Sequence, residues 1–253
     1  MSTVLATDLS MSLGIGIYSI PEASRLIGVP GQNIRRWLFG YHYRKLPGDA
    51  TTRTDMAPLW TPELADEDFD ENVIGFRDLL ELRFVQEFIR HGVSTRVIRR
   101  CLENAKTLFG VSHPMTLKRF QTDGKTIYAE ALEEEALENS LVDLKSRQSV
   151  FKAIIKPSLY AGIVYDELGA KARKWYPDAT GKGRSPVVID PARQFGAPII
   201  EDTGTPTNVL YSSYVAEGED TGALTITARV YDVSSKLVSA AIRFEQSLEH
   251  PPH

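Results

Sequence analysis

Cysteine is almost absent: Cys101 is the single one in 253 residues. One thiol cannot build a disulfide framework or a multi-cysteine zinc site, and its scarcity fits a reducing cytosol. On a helical stretch it reads as a small buried apolar side chain. Long apolar runs are missing too. No stretch approaches the roughly 20 residues that span a bilayer, and no basic leader precedes an apolar run at the start. A soluble, unexported, cytoplasmic protein without membrane contact is expected. Nor is positive charge in excess. A formal net charge of −4 argues against a chain that coats nucleic acid nonspecifically, since that needs many lysines and arginines. Any DNA binding must come from a local basic patch.

Catalytic constellations are lacking as well. Gly14-Ile15-Gly16 opens like a dinucleotide fingerprint but has no third glycine at the required place, and reads instead as a short strand or arm. Gly181-Lys182-Gly183 lacks the Lys-Ser/Thr pair of a P-loop. The acidic run Asp66, Glu67, Asp68, Asp70, Glu71 lacks EF-hand spacing and reads as a solvated loop with helix-start acids. His42, His91 and His113 have no ligand-spaced partners, and no nucleophile elbow appears. No catalytic residue, metal or cofactor is assigned, and a non-enzyme is expected.

What the sequence does contain is concentrated between Ser19 and Phe39. Ser19 suits an N-cap, Pro21 sits early in the helix where proline costs little, and Ala23, Leu26 and Ile27 recur at helical spacing. Gly28, Val29 and Pro30 break that helix; Gln32 to Phe39 resumes the pattern with Ile34 and Leu38 facing inward. Two short helices around a tight glycine turn predict a helix-turn-helix, whose second helix enters the major groove. Gln32, Asn33, Arg35 and Arg36 are left facing outward as candidate DNA contacts, with Arg25 on the first helix. Tyr41 to Lys45, a Pro/Gly/Thr-rich stretch from Pro47 to Pro58, and Leu59-Trp60 suit a β-hairpin wing. Arg44 and Lys45, together with Arg53, would lie beside phosphates, or the aromatics simply close a small core. Asp78 to Phe88 predicts an amphipathic packing helix, and Ser94 caps another over Thr95 to Phe109 with Val97, Ile98, Cys101, Leu102 and Ala105 inward.

YSIPEASRLIGVPGQNIRRW resembles the opening of a MerR-type winged helix-turn-helix, and GFRDLLELRFVQEFIRHGVSTRVIRRCL is similar to that family's second helical pair with its Gly-Val-Ser turn. MerR regulators usually continue into a long dimerising coiled coil; here Gly110 to Pro114 stops the helix and no heptad run follows. Asp123-Gly124, flanked by Phe120, Thr122, Thr126 and Tyr128, predicts a hairpin, and Glu133, Glu134, Glu135 and Glu138 an exposed helical face. Residues 177–186 read as a linker. Val187 to Ile189 and Pro198 to Ile200 read as short strands, and Thr205 as the cap of a helix opened by Pro206 with Val209, Leu210, Tyr214 and Val215 inward. Leu224 to Val230 and Ser235 to Leu248 repeat a helix-turn-helix spacing.

VVIDPARQFGAPIIEDTGTP resembles a small domain of antitoxin-like bacterial proteins with an Ile-Asp-Pro, Phe-Gly-x-Pro, Gly-Thr-Arg-x-Pro pattern. Asp202 stands where a glycine is usual and Gly204 where the arginine is usual. With the N-terminal motif, this looks like VapB-type antitoxins encoded beside PIN-domain ribonucleases. The expected fold is α+β and mainly helical: a winged helix-turn-helix over 1–110, an α+β connector over 111–180, and a strand pair with a helical bundle over 181–253. The resemblance implies an antitoxin that binds operator DNA, represses its own operon and neutralises a PIN-domain ribonuclease toxin, as a homodimer or higher heterocomplex. Arg184 and Arg193 are candidate toxin contacts, or else cover their own domain. The rivals are a stand-alone MerR-like regulator with a C-terminal ligand-binding or dimerisation domain, and an adaptor that has lost DNA binding.

Overall fold

The computed structural model describes residues 14–44, 53–65, 69, 72–138, 157–166, 171–177 and 185–249. They are α+β and mainly helical. The chain divides into two compact units, Ser19–Leu159, and Tyr160–His253 with Met1–Tyr18.

In the first unit, helix α1 (Ile20–Ile27) is followed by α2 (Gly31–Phe39), a hairpin of β1 (Tyr41–Arg44) and β2 (Arg53–Met56), and the longer helices α3 (Phe76–Arg90), α4 (Thr95–Phe109) and α5 (Phe120–Glu138). Helix α3 is more than amphipathic. Phe76, Leu79, Leu80, Leu82, Phe84, Val85 and Phe88 are buried, and so are Asp78 and Glu81. A helix buried around most of its circumference forms the centre of a domain, and its two buried carboxylates require partners. Helix α4 follows the expected pattern: Ser94 Oγ accepts the Val97 N–H at 3.3 Å, Gly110 closes the helix at φ +68°, and Val97, Ile98, Cys101, Leu102 and Ala105 face inward.

The hairpin expected around Asp123-Gly124 is instead part of α5, which packs on α4. Phe120, Gly124, Ile127, Tyr128, Ala131 and Leu132 are all buried, and their spacing of three and four is helical. Asp123, rather than closing a turn, accepts from Arg119 Nε one helical turn back at 2.6 Å. Burial of that stripe outweighs a two-residue turn preference. Glu133 is exposed and Glu134 half-buried, the latter receiving Arg100 and Asn104 from α4 at 3.3 Å each.

The second unit has a four-stranded antiparallel sheet in the order β3 (Ile163–Tyr165), β4 (Ala172–Trp175), β5 (Val187–Ile189), β6 (Pro198–Ile200). Three helices, α6 (Thr207–Ala216), α7 (Thr221–Val230) and α8 (Ser235–Glu249), pack on one another and, through α6 and α8, on the sheet. The two C-terminal strands are thus half of a sheet. A boundary at 180/181 falls inside it, and the stretch 111–180 contributes α5 to one unit and β3–β4 to the other.

Helix α6 begins one residue later than a Thr205 cap would give: Pro206 occupies the N-cap position, and Thr205 pairs with Thr203 at 2.9 Å. Its inward side is Thr207 and Leu210, whereas Val209 and Val215 are 36% and 42% exposed. A buried hydroxyl explains the rotation, because Thr207 Oγ1 donates to the buried carboxylate of Glu245 on α8.

Candidate nucleic-acid interface

The entry to α1 is a capping box. Glu22 Oε2 accepts the Ser19 N–H at 2.8 Å while Ser19 Oγ accepts the Glu22 N–H at 3.4 Å. Gly28 ends the helix at φ +65°, in the left-handed region that favours glycine. Buried Val29 and exposed Pro30 then lead into α2. On α2, Ile34, Trp37 and Leu38 are buried, which leaves Gln32, Arg35 and Arg36 exposed and Asn33 half-buried. Arg25 is exposed in the last turn of α1. The five candidate contacts on the helix pair therefore lie on the surface of this unit.

The hairpin follows immediately, but its second strand is Arg53–Met56 rather than Leu59-Trp60. Leu59 and Trp60 are buried beneath it. The register pairs Tyr41 with Met56, His42 with Asp55, Tyr43 with Thr54 and Arg44 with Arg53. Two arginine positions thus share the rung next to the loop; Lys45 lies outside the described residues. The His42 and Asp55 side chains bond across the strands. Gly40, at φ +72°, turns the chain from α2 into the hairpin, and a Cβ there would come within 2.5 Å of the Met56 carbonyl.

Two arginines tie these parts together. The Arg36 guanidinium stands 5.4 Å from the centroid of the Tyr41 ring, within cation–π range. Arg99 on α4 donates to the Ala57 carbonyl at 2.6 Å. Between them opens a cleft of about 250 Å³ lined by Asn33, Arg36, Trp37, Tyr41, Met56 and Arg99 among others.

Beneath the hairpin lies a buried polar network. Asp78 accepts from the Trp60 indole N–H at 2.7 Å, from His113 Nε2 at 2.7 Å, and from the backbone N–H groups of Glu63 and Gly75 at 2.9 Å each. Burial alone would raise the Asp78 pKa, but the His113 bond and charge, with the other donors, outweigh it and hold the carboxyl below its ordinary value. His113 is shifted upward, because the Asp78 bond and charge overcome the desolvation that would lower it. One turn along α3, Glu81 accepts the N–H groups of Met115 and Thr116 at 3.3 and 3.2 Å, and burial raises its pKa to about 7. Burial also pushes the Cys101 thiol up, so this side chain is an unreactive part of the core.

Glu63, Asp78 and His113 bring three metal-ligand atoms within 4.8 Å. Each is already engaged: Glu63 by the Arg77 N–H and guanidinium, His113 Nδ1 by Ser112 Oγ at 2.9 Å, and Asp78 by its four donors. The cluster is a hydrogen-bonded clamp that holds the base of the hairpin to α3 and to the turn at Pro114–Thr116. Sequence reading missed it. The available signal was an aspartate and a glutamate inside an otherwise apolar helix.

In the second unit, Asp190 Oδ1 accepts the Ala192 N–H at 3.0 Å, and Gln194 and Phe195 adopt φ of +48° and +54°. Arg193 Nη1 donates to the Glu201 carbonyl at 2.9 Å, and a Cβ at residue 204 would meet its Nη2 at 2.8 Å. Gly204, the departure from the antitoxin-like pattern, makes room for that guanidinium. Arg193 is therefore half-buried and braces its own turn; Arg184 lies outside the described residues. Residues of the N-terminal arm lie on the same turn, with the Ile17 N–H on the Phe195 carbonyl and the Tyr18 hydroxyl on the Gly196 carbonyl, each at 2.9 Å. No helix of the described residues is long and apolar enough to cross a membrane.

No family model matches the sequence. The chain is similar to a protein of Mycobacterium tuberculosis named "Putative antitoxin VapB45", with 26% identity over 206 residues, covering 78% of this chain and 82% of that one. Its fold is similar to a crystal structure of Rv2018 from Mycobacterium tuberculosis. There the TM-score is 0.58 at 20% identity, over 91% of this chain and 98% of the other.

Proposed function

We propose that this protein is a DNA-binding antitoxin of a toxin-antitoxin module, which represses its own operon and masks a PIN-domain ribonuclease. The observation that carries the DNA-binding half is the exposed face of α2: Gln32, Arg35 and Arg36 outward, with Ile34, Trp37 and Leu38 holding the helix down. Arginine and glutamine there suit base edges and phosphates. Arg25, Asn33, Arg44 and Lys45 extend the contact toward the flanking backbone, and two arginine positions on one hairpin rung favour a polyanion. The unit stays acidic elsewhere, so binding is local and salt-sensitive rather than a general affinity for nucleic acid.

The antitoxin half rests on the similarity to the VapB45 relative over most of both chains. Masking a metal-dependent ribonuclease calls for cations or a segment that displaces its metal. Arg184 and Arg193 are the proposed contacts, the second only insofar as it leaves the Glu201 carbonyl. A cytoplasmic homodimer that presents two reading heads completes the proposal. The protein itself carries out no catalysis.

Co-expression with the product of the adjacent open reading frame tests it. A stable heterocomplex and relief of growth arrest are expected. Purification as a free regulator with no effect on growth would favour a stand-alone MerR-like regulator.

A further inference from the structure

The cleft beside Arg36 combines two unlike chemistries. Trp37, Tyr41 and Met56 give it aromatic and thioether walls. Arg36 and Arg99 give it positive charge, and Thr95, also in its lining, is the first residue of α4. The opening N–H groups of a helix have no intrahelical acceptor, and the dipole makes that end positive. Among the described residues, no carboxylate lines the cleft to neutralise this charge. Arg99 is also held in place, one turn into α4, by its bond to the Ala57 carbonyl.

We propose that this cleft binds a small planar aromatic anion, of the class of one-ring carboxylates. The carboxylate would meet Arg99 and the start of α4, and the ring the aromatic and thioether walls. A volume of about 250 Å³ lies just below the range typical of drug-sized ligands, which begins near 300 Å³, and so suits one ring rather than two. Because Arg36 and Asn33 also line the cleft, an occupant takes from DNA two of the side chains assigned to it above. The protein would then release its operator in response to the small molecule. That second step rests on the DNA-binding reading; the binding step does not.

Titration calorimetry of the full chain without DNA tests the binding step, with 4-hydroxybenzoate as the anionic probe and benzamide as its uncharged counterpart. Saturable binding of one probe per chain is expected, weakened on the order of tenfold by Arg99→Gln and again for benzamide, the size of one charge-assisted hydrogen bond. Tyr41→Ala, at a residue 38% exposed, leaves the fold intact and also weakens binding. Absence of saturation, or binding indifferent to both substitutions and to charge, overturns the site. With operator DNA bound, saturating 4-hydroxybenzoate should release it. DNA retained by a probe-loaded protein overturns the regulatory step alone, and failure to bind DNA without probe refutes the DNA-binding reading while the calorimetry still decides the cleft.

Discussion

Asp78 gathers four hydrogen bonds from three parts of the first unit, so its loss should be felt throughout that unit. Asp78→Ala leaves His113, Trp60 and two backbone N–H groups without an acceptor, and is expected to cost about 3–5 kcal/mol, read from the urea midpoint. Gly75 is similarly constrained. A Cβ there would run into the Glu63 carboxylate, so Gly75→Ala should cost about 1–3 kcal/mol, measured the same way. Glu81 gives a pH signature. Its pKa rises from 4.5 to about 7 on folding, so the folded state favours the protonated carboxyl. The stabilisation is fully present below 4.5 and is lost as pH rises through about 7. His113, raised above its ordinary 6.5, adds a loss of the same sign above that pH, while Asp78, lowered, contributes stability that disappears only below 3.8. Between 4.5 and 6.5 the slope belongs to Glu81, and denaturant titrations across that interval should show stability falling in the wild type and level in Glu81→Gln. A level wild-type profile would contradict the assignment.

At the scale of elements, what the sequence announces is what local chemistry decides. The caps Ser19 and Ser94 and the glycine stops Gly28 and Gly110 set α1 and α4 where their patterns place them. Ser19→Ala removes one half of a capping box and should cost about 1 kcal/mol by thermal or urea unfolding, without loss of the helix. Where packing decides instead, the local signal misleads. Asp123-Gly124 carries a turn signature, yet the buried run from Phe120 to Leu132 has a helical period and a partner in α4. Val209 and Val215 look like inward positions until Glu245, distant in sequence, claims Thr207. The candidate site divides the same way. The outward set on α2 follows from periodicity alone, whereas the Asp78–His113 clamp and the Arg36–Tyr41–Arg99 cleft bring together residues far apart in the chain. No spacing rule links residue 78 to residue 113.

At the scale of the whole molecule, one unit holds the exposed polar face of α2 and the other a sheet with three helices and an arginine-braced turn. On the proposed function, the first unit would read DNA and the second would meet the toxin. Binding through a small cationic face predicts a strong dependence on salt, with each lost phosphate contact reducing the slope of log affinity against log salt by about one. The most direct test is fluorescence anisotropy of a duplex taken from upstream of the protein's own gene, titrated with the wild type and with the Arg35→Ala/Arg36→Ala double variant, whose fold is checked by circular dichroism. The account predicts salt-sensitive binding by the wild type and a loss on the order of thirtyfold or more in the variant. Equal affinity in the two proteins, or no binding by either, would contradict it.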